Sequence, residues 1–583
     1  MKPKRFRNFV SRSLPTTAFL AMSAAVVSTA FSANVIWDGG PAGTGTDLGL
    51  AANWAGDVVP STATPDTAVW DGTVAGPLAL VYTTTTIGGA PGNPGIGLSV
   101  AATQTSSLTL DSGLNTSALR VNAVTIADGA GPVTIGDGND IFNLTIGGTA
   151  GTTQVWTNNS LTNAATVRSD VRYGLGGSGD HTIHFTGPGD WDVAAPISPS
   201  NGAQLSLFKT GTGELTLSGG GNLNNNALAI LGAAQCAALK EGTTRITSGA
   251  YTCNTKEFTV GGFDAGAGTD TQLIMDGGSI TGVSWLSIGK GNGDGTASSD
   301  VILNNAASIT STNISLGWFQ TNPVGPKASI TLNDTSSITT NGTNNIGEST
   351  GANVTMTLND SSSFNTTNNT VEIAQNSATA TVNLNGTSTF SSNLTRIGRG
   401  NNNAATAKGY VNVDGGTLNS EGDLVLSYAG SATSLGRLTI DSGTVNVATT
   451  TKRWMILHQF DFGNAEVVMS GGNLNLNTNT DIRFNTGGTT STGTNVFTMN
   501  GGSVTSFTDN KTTPLGGGVL DLNQSGGAGA NNTFHLNGGT LTIRAVNTSN
   551  NDATAAFNFN GGLLKATGND ANFVNLGGAT QTV

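Results

Sequence analysis

The chain has 583 residues, a formal net charge of −12, only 10% charged residues and 83 glycines. Ordinary globular domains carry roughly 25% charged residues and about 7% Gly, and an acidic chain without a basic stripe excludes nucleic acid and anionic lipid as partners. The 36% hydrophobic content also excludes the disordered class, which combines low hydrophobicity with high net charge.

At the N-terminus, Lys2, Lys4, Arg5, Arg7 and Arg12 precede an apolar, Ala-rich run from Ala18 to Val27, and Ala30 and Ser32 place small residues before a cleavage point. Residues 1–32 therefore read as a secretory signal peptide, too short for a membrane span, and no transmembrane segment is expected after its removal. Loss of its five cations takes the formal charge to −17.

Residues 33–270 read as an N-terminal cap followed by irregular coils. Trp37, Trp54 and Trp70 suit a cap, because the first coil of a repetitive stack needs its apolar cross-section covered. Short strand-like runs follow, such as Leu108-Thr109-Leu110 and Val133-Thr134-Ile135. His181 and His184 stand three apart, on opposite faces of a strand, which disfavours a shared metal; a loop or an exposed strand edge is their expected setting. Cys236 and Cys253, 17 residues apart, leave two states open in an exported protein, a disulfide or a pair of buried thiols.

Within this part, Leu207-Phe208-Lys209-Thr210-Gly211-Thr212-Gly213-Glu214-Leu215-Thr216-Leu217-Ser218-Gly219 resembles the autotransporter-associated β-strand repeat, whose core is Lys-x-Gly-x-Gly-x-Leu-x-Leu-x-Gly. Gln154-Val155-Trp156-Thr157-Asn158 is similar to the tract that often precedes it, and the Trp37, Asn53-Trp54 and Asp66 to Trp70 spacing to the start of such proteins. The resemblance implies a β-helical passenger on the outer-membrane surface of, or released by, a Gram-negative bacterium. Such passengers normally continue into a barrel or a sorting tail. The chain ends Gly577-Gly578-Ala579-Thr580-Gln581-Thr582-Val583, so either a C-terminal region is missing, the favoured expectation, or the protein is released or held by an anchoring partner.

Residues 271–583 carry a regular repeat. An apolar-x-apolar run ends on a polar anchor, followed by small turn residues, at 276, 304, 333, 359, 385, 414, 441, 470, 500, 537 and 560, with spacings of 23 to 37. A period in the twenties with strand-like content indicates a solenoid; the Leu/Asn spacing and helices of leucine-rich repeats are absent. In one repeat, Val382-x-Leu384 alternates, Asn385-Gly386 turns the chain, Thr389-Phe390 forms a second strand and Leu394 to Gly398 a third. The expected fold is all-β, a right-handed single-stranded parallel β-helix with three short strands per coil. Eleven coils at a strand spacing of ~4.8 Å give a rod of about 50 Å, and stacked Asn anchors suit a hydrogen-bonded ladder.

No catalytic, cofactor-binding or metal site is expected. The adjacent acidic pairs Asp414/Asp441 and Asp334/Asp360 fall where turns want Asn or Asp. His458 is isolated, and His535 takes an outward strand position. Asp137-Gly138-Asn139-Asp140 and Asn292-Gly293-Asp294-Gly295 are weak calcium candidates that match neither the EF-hand nor the β-roll spacing. Trp285, Trp318 and Trp454 sit near equivalent strands; core packing is their expected fate, and outward placement would form a sugar-stacking ladder. The expected function is a structural or adhesive exoprotein presenting loops to surfaces, neighbouring cells or glycans. Its rival is a carbohydrate-active β-helix enzyme, which needs facing carboxylates a few ångströms apart.

Overall fold

A computed structural model describes residues 32–577 except 62–64, 83–94, 113–117, 137–141, 147–152, 169–170, 176–179, 199–203, 224–228, 231–232, 262–269, 292–296, 319–326, 367–368, 401–404, 429–430, 449–450, 461, 488–491, 508–516, 526–528 and 551–553. The signal-peptide segment up to residue 31 and both calcium candidates, at 137–140 and 292–295, lie outside the described residues. Of the described residues 57% are strand and 1% helix, with the parallel strands stacked as a β-solenoid of about 15 turns. Among the described residues no helix is long and apolar enough to cross a membrane.

A coil is well represented by Thr379–Asn385, Thr389–Ser392 and Leu394–Arg399. Its first strand alternates, with Ala380, Val382 and Leu384 buried and the residues between them part-exposed. A single such strand cannot hide its apolar side, but stacking covers it above and below. Each strand pairs with its own copy in the next coil: Met275, Leu303, Leu332, Leu358, Leu384, Val413, Ile440, Met469, Met499, Leu536 and Phe559 form one unbroken row. The polar anchors each follow the corresponding residue of this row, so the spacing read from the sequence is the true coil register. The same first-strand pairing crosses residue 270, through Gly242–Ile246 and Thr271–Met275.

The anchors form the predicted amide ladder. Asn385 Nδ2 donates to Asn359 Oδ1, Asn359 to Asn333 and Asn333 to Asn304, each at 2.8 Å, and Asn304 donates to Asp276 Oδ1 at 2.8 Å. A second run joins Asn560, Asn537 and Asn500. Asp276 is thus the terminal acceptor of a one-directional chain, and Arg245 clamps it to Glu214. The next residue takes the left-handed conformation at Asn305, Asp334, Asp360 and Gly386, with φ of 55°, 56°, 55° and 65°, which Asn, Asp and Gly tolerate best. Asp334 Oδ2 accepts the Asn305 amide at 2.8 Å and Asp360 Oδ2 the Asp334 amide at 3.2 Å. Asp414 and Asp441 are exposed at the same turn, and Asp414 accepts the Ser442 hydroxyl.

Inside the stack, equivalent aromatic rings pile up: Phe364 on Phe390 at 4.8 Å, Phe497 on Phe534 at 4.7 Å. At the N-terminal end Trp37, Trp54 and Trp70 are buried, with Trp37 edge-on to Trp54 at 4.9 Å and the Trp54 indole N–H donating to Leu48 O.

The Lys-x-Gly-x-Gly segment is a corner between coils. Lys209 is buried, and its ammonium donates to the carbonyls of Thr210, Gly211 and, one coil on, Glu241. A Cβ on Gly211 (φ 79°) would lie 2.5 Å from the Gly187 backbone, and one on Gly213 2.2 Å from Gly189 O, so only Gly lets the coils close up here. Leu215 and Leu217 then enter the core. Cys236 and Cys253 are joined as a disulfide, linking successive coils rather than closing a surface loop.

His181 and His184 correct their expected setting. Both lie within the strand Asp180–Thr186; His181 points inward and is 1% exposed, whereas His184 points outward and is half-buried. The opposite-face reading holds, but the strand is in mid-stack rather than at an edge. His184 stacks on Phe208 at 4.5 Å and bonds to the Thr210 hydroxyl at 2.7 Å. Burial, then the Lys209 ammonium, push it down to about 4.

Candidate functional site

In six successive coils the third strand ends on a residue that reverses the chain into the left-handed region: Gly289, Gly317, Gly347, Ala374, Gly398 and Ser427, with φ between 57° and 77°. The residue after each corner therefore stands beside the strand and not beneath it. In successive coils these positions hold Lys290, Trp318, Glu348, Gln375, Arg399 and Tyr428. The outward centres of the same strands are in register as Ser287, Ser315, Asn345, Glu372, Arg396 and Val425, continuing to Ile456, Arg483 and Asp521. Two side-chain rows thus run along one face of the solenoid.

At one end of this face Glu257, Trp285, Ser287, Lys290, Ser315, Trp318 and Glu348 line an open cavity of about 280 Å³. Ser287 and Ser315 form its floor; Trp285, two residues before the centre, and Trp318, three after, stand on opposite rims. The Glu257 side chain is 4% exposed. Its Oε1 accepts Lys290 Nζ at 2.6 Å and Ser287 Oγ at 2.5 Å, and its Oε2 accepts Lys290 Nζ at 2.8 Å and Gln235 Nε2 at 2.9 Å. Desolvating a carboxylate is costly unless it is paired and fully hydrogen-bonded; Glu257 is both. Lys290 Nζ also lies 5.3 Å from the Trp318 ring centre, and Glu348 accepts the Ser315 hydroxyl.

The next cavity along, about 350 Å³, is lined by Asn313, Gly342, Thr343, Asn345, Asn369, Thr370, Glu372 and Arg399. Glu372 Oε1 is shared by Arg396 Nη1 at 2.8 Å and Arg399 Nη1 at 3.4 Å. Burial raises its pKa, against the opposing pull of Arg399 and Arg396. Arg396 lies 4.2 Å from the Tyr428 ring centre, and Tyr428 meets Phe460 edge-on. Further along, Arg483 is paired with Asp481 and lies 4.5 Å from the Trp454 ring centre. Among the described residues, all four cation–π contacts fall on this one face.

Two expectations are corrected here. Trp285, Trp318 and Trp454 are half-exposed on this face and not packed in the core, although they flank a groove from two sides and do not form one ladder. Ionisable groups do cluster on adjacent coils, at Glu257/Lys290 and at Glu372/Arg396/Arg399, in the third-strand register and not at the turns that hold Asp414/Asp441 and Asp334/Asp360. The signal was present in the sequence: aligning the third strands on their corner residues places Glu372, Arg396 and Arg483 in one column. His535 is outward as expected, with Nδ1 bonded to Asn558 Nδ2, and His458 is buried. Among the described residues no group of three or more His, Cys, Asp or Glu side chains could hold a metal ion.

No family model, curated protein or solved structure matches the chain.

Proposed function

We propose that the protein is an exported structural or adhesive β-solenoid, of the autotransporter-associated passenger kind, which holds glycan-bearing surfaces against its third-strand face and releases them unchanged. The observation that carries this reading is the concentration of half-exposed aromatic rings and ion-paired side chains on one face. Aromatic rings beside a few placed polar groups are the usual means of binding a sugar. Export is supported by the N-terminal basic and apolar pattern, and the passenger association by the Lys209 to Gly219 segment.

The rival is a glycan-cleaving enzyme, and one observation favours it: burial raises Glu372 beside an open cavity, as a general acid requires. Against it, Arg396 and Arg399 both bind the Glu372 carboxylate, which favours the ionised form. Adsorption of purified protein to insoluble polysaccharides and to bacterial cells, followed by assay for released sugar, separates the two. Adsorption without product is expected. No adsorption to any surface, or product release lost in Glu372→Gln, refutes the adhesive reading.

A further inference from the structure

We propose that the third-strand face is a track for one extended, uncharged polysaccharide chain lying along the solenoid axis, an inference that rests on the adhesive reading above and adds the class and length of the ligand. The two cavities, about 280 and 350 Å³, are consecutive: Ser315 of the first and Asn313 of the second belong to the same strand, Ser308–Leu316. Together they make a groove parallel to the stacking direction, not an isolated pit.

The charge pattern selects a neutral chain. Glu257 is neutralised by Lys290, whereas Glu372 is shared by two guanidiniums, Arg396 and Arg399, which leaves the second cavity one positive charge in excess. Glu348 leaves the first cavity one negative charge in excess, so these six groups sum to zero along the groove and favour an uncharged chain over an anionic one, while the carboxylate accepts bonds from hydroxyls. Ser, Asn and Thr on the groove floor offer both donors and acceptors, which suits the hydroxyls of a sugar ring, while Trp285 and Trp318 offer faces for its C–H side.

The spacing selects an extended chain. Coils repeat at ~4.8 Å, close to the length of one residue in an extended 1,4-linked glycan, so a chain along the axis meets an equivalent position at each coil. Trp318 and Tyr428 both follow their strand centres by three residues, and those centres are four coils apart. The two aromatic stations are therefore about 19 Å apart, and at least five sugar residues are needed to touch both. Phe460 stands beside Tyr428 at 4.9 Å and is 44% exposed, widening the second station.

Calorimetric titration of the full mature chain with disaccharides and hexasaccharides of β-1,4-linked glucose, mannose and xylose tests this, with a hexasaccharide of galacturonic acid as the anionic comparison. At least one neutral hexasaccharide should bind ~10-fold or more tightly than its disaccharide, because the second station is engaged within the same complex. Trp318→Ala and Tyr428→Ala should each lower hexasaccharide affinity by about tenfold, with Trp318→Phe retaining most of it. Both side chains are half-exposed, and an unchanged thermal melt shows that each variant is folded. Equal affinity for both lengths, preference for the galacturonate, indifference to the two alanine variants, or no binding of any neutral hexasaccharide overturns the track. Surface adsorption that persists alongside such a result leaves the adhesive reading standing; its absence removes both.

Discussion

Asn333 offers a quantitative test of how the anchor ladder holds neighbouring coils together. Its side chain gives one hydrogen bond to Asn304 and takes one from Asn359, both at 2.8 Å. Asn333→Ala breaks both bonds. Side-chain hydrogen bonds contribute about 1 kcal/mol each, and these amides are only part-buried, so water recovers some of the loss; the expected cost is about 1–2 kcal/mol. Asn359→Ala likewise breaks its bonds to Asn333 and Asn385. The double variant breaks three bonds and not four, because one is shared. Its cost should fall short of the sum of the single costs by about 1 kcal/mol. Hydrogen exchange of backbone amides between residues 300 and 390 is the suitable assay, since it reports local opening without assuming that a long solenoid unfolds in one step. Strict additivity would refute the ladder as a set of pairwise bonds, and a cost below about 0.3 kcal/mol for either single variant would show that water replaces them fully.

Two further predictions concern the less regular half. His184, held near 4 in the folded chain against 6.5 free, stays neutral while the unfolded chain takes up a proton; stability should therefore be undiminished above pH 6.5 and fall between pH 6.5 and 4, by about 1–2 kcal/mol once solvent screening of this half-buried ring is allowed for. Urea midpoints measured across this range for wild type and His184→Gln should diverge with that sign, and parallel curves would refute it. Replacing Cys236 and Cys253 together by Ser opens a covalent loop of 17-residue separation, with an expected loss of about 3 kcal/mol in the same assay; a loss below about 1 kcal/mol would indicate that coil stacking alone holds this region.

The regular coils were legible because two signals coincide at every anchor. The alternation before Asn333 or Asn385 defines an inward face, and the turn residue after it fixes where the strand stops. The third-strand face was harder to see. Its side chains alternate outward, so Glu372 and Arg396 read locally as ordinary solvated residues. They lie 24 residues apart and join only once the third strands are aligned on their corners. Loop lengths varying between coils put that alignment out of step with the anchors. His181 was misplaced for a related reason: Asp180-His181-Thr182 looks polar in sequence, yet the alternation of His181, Ile183 and Phe185 places all three inside.

The coil-to-coil hydrogen bonds have a mechanical meaning. They point along the rod, while the covalent chain runs around it. A pull on the two ends therefore loads every interface between turns in series, like links of a chain, and tension is the same at each. The rod's strength is that of its weakest interface and does not grow with the number of turns. The disulfide reinforces one link only, and between the others the load falls on short strands, stacked rings and the amide ladder.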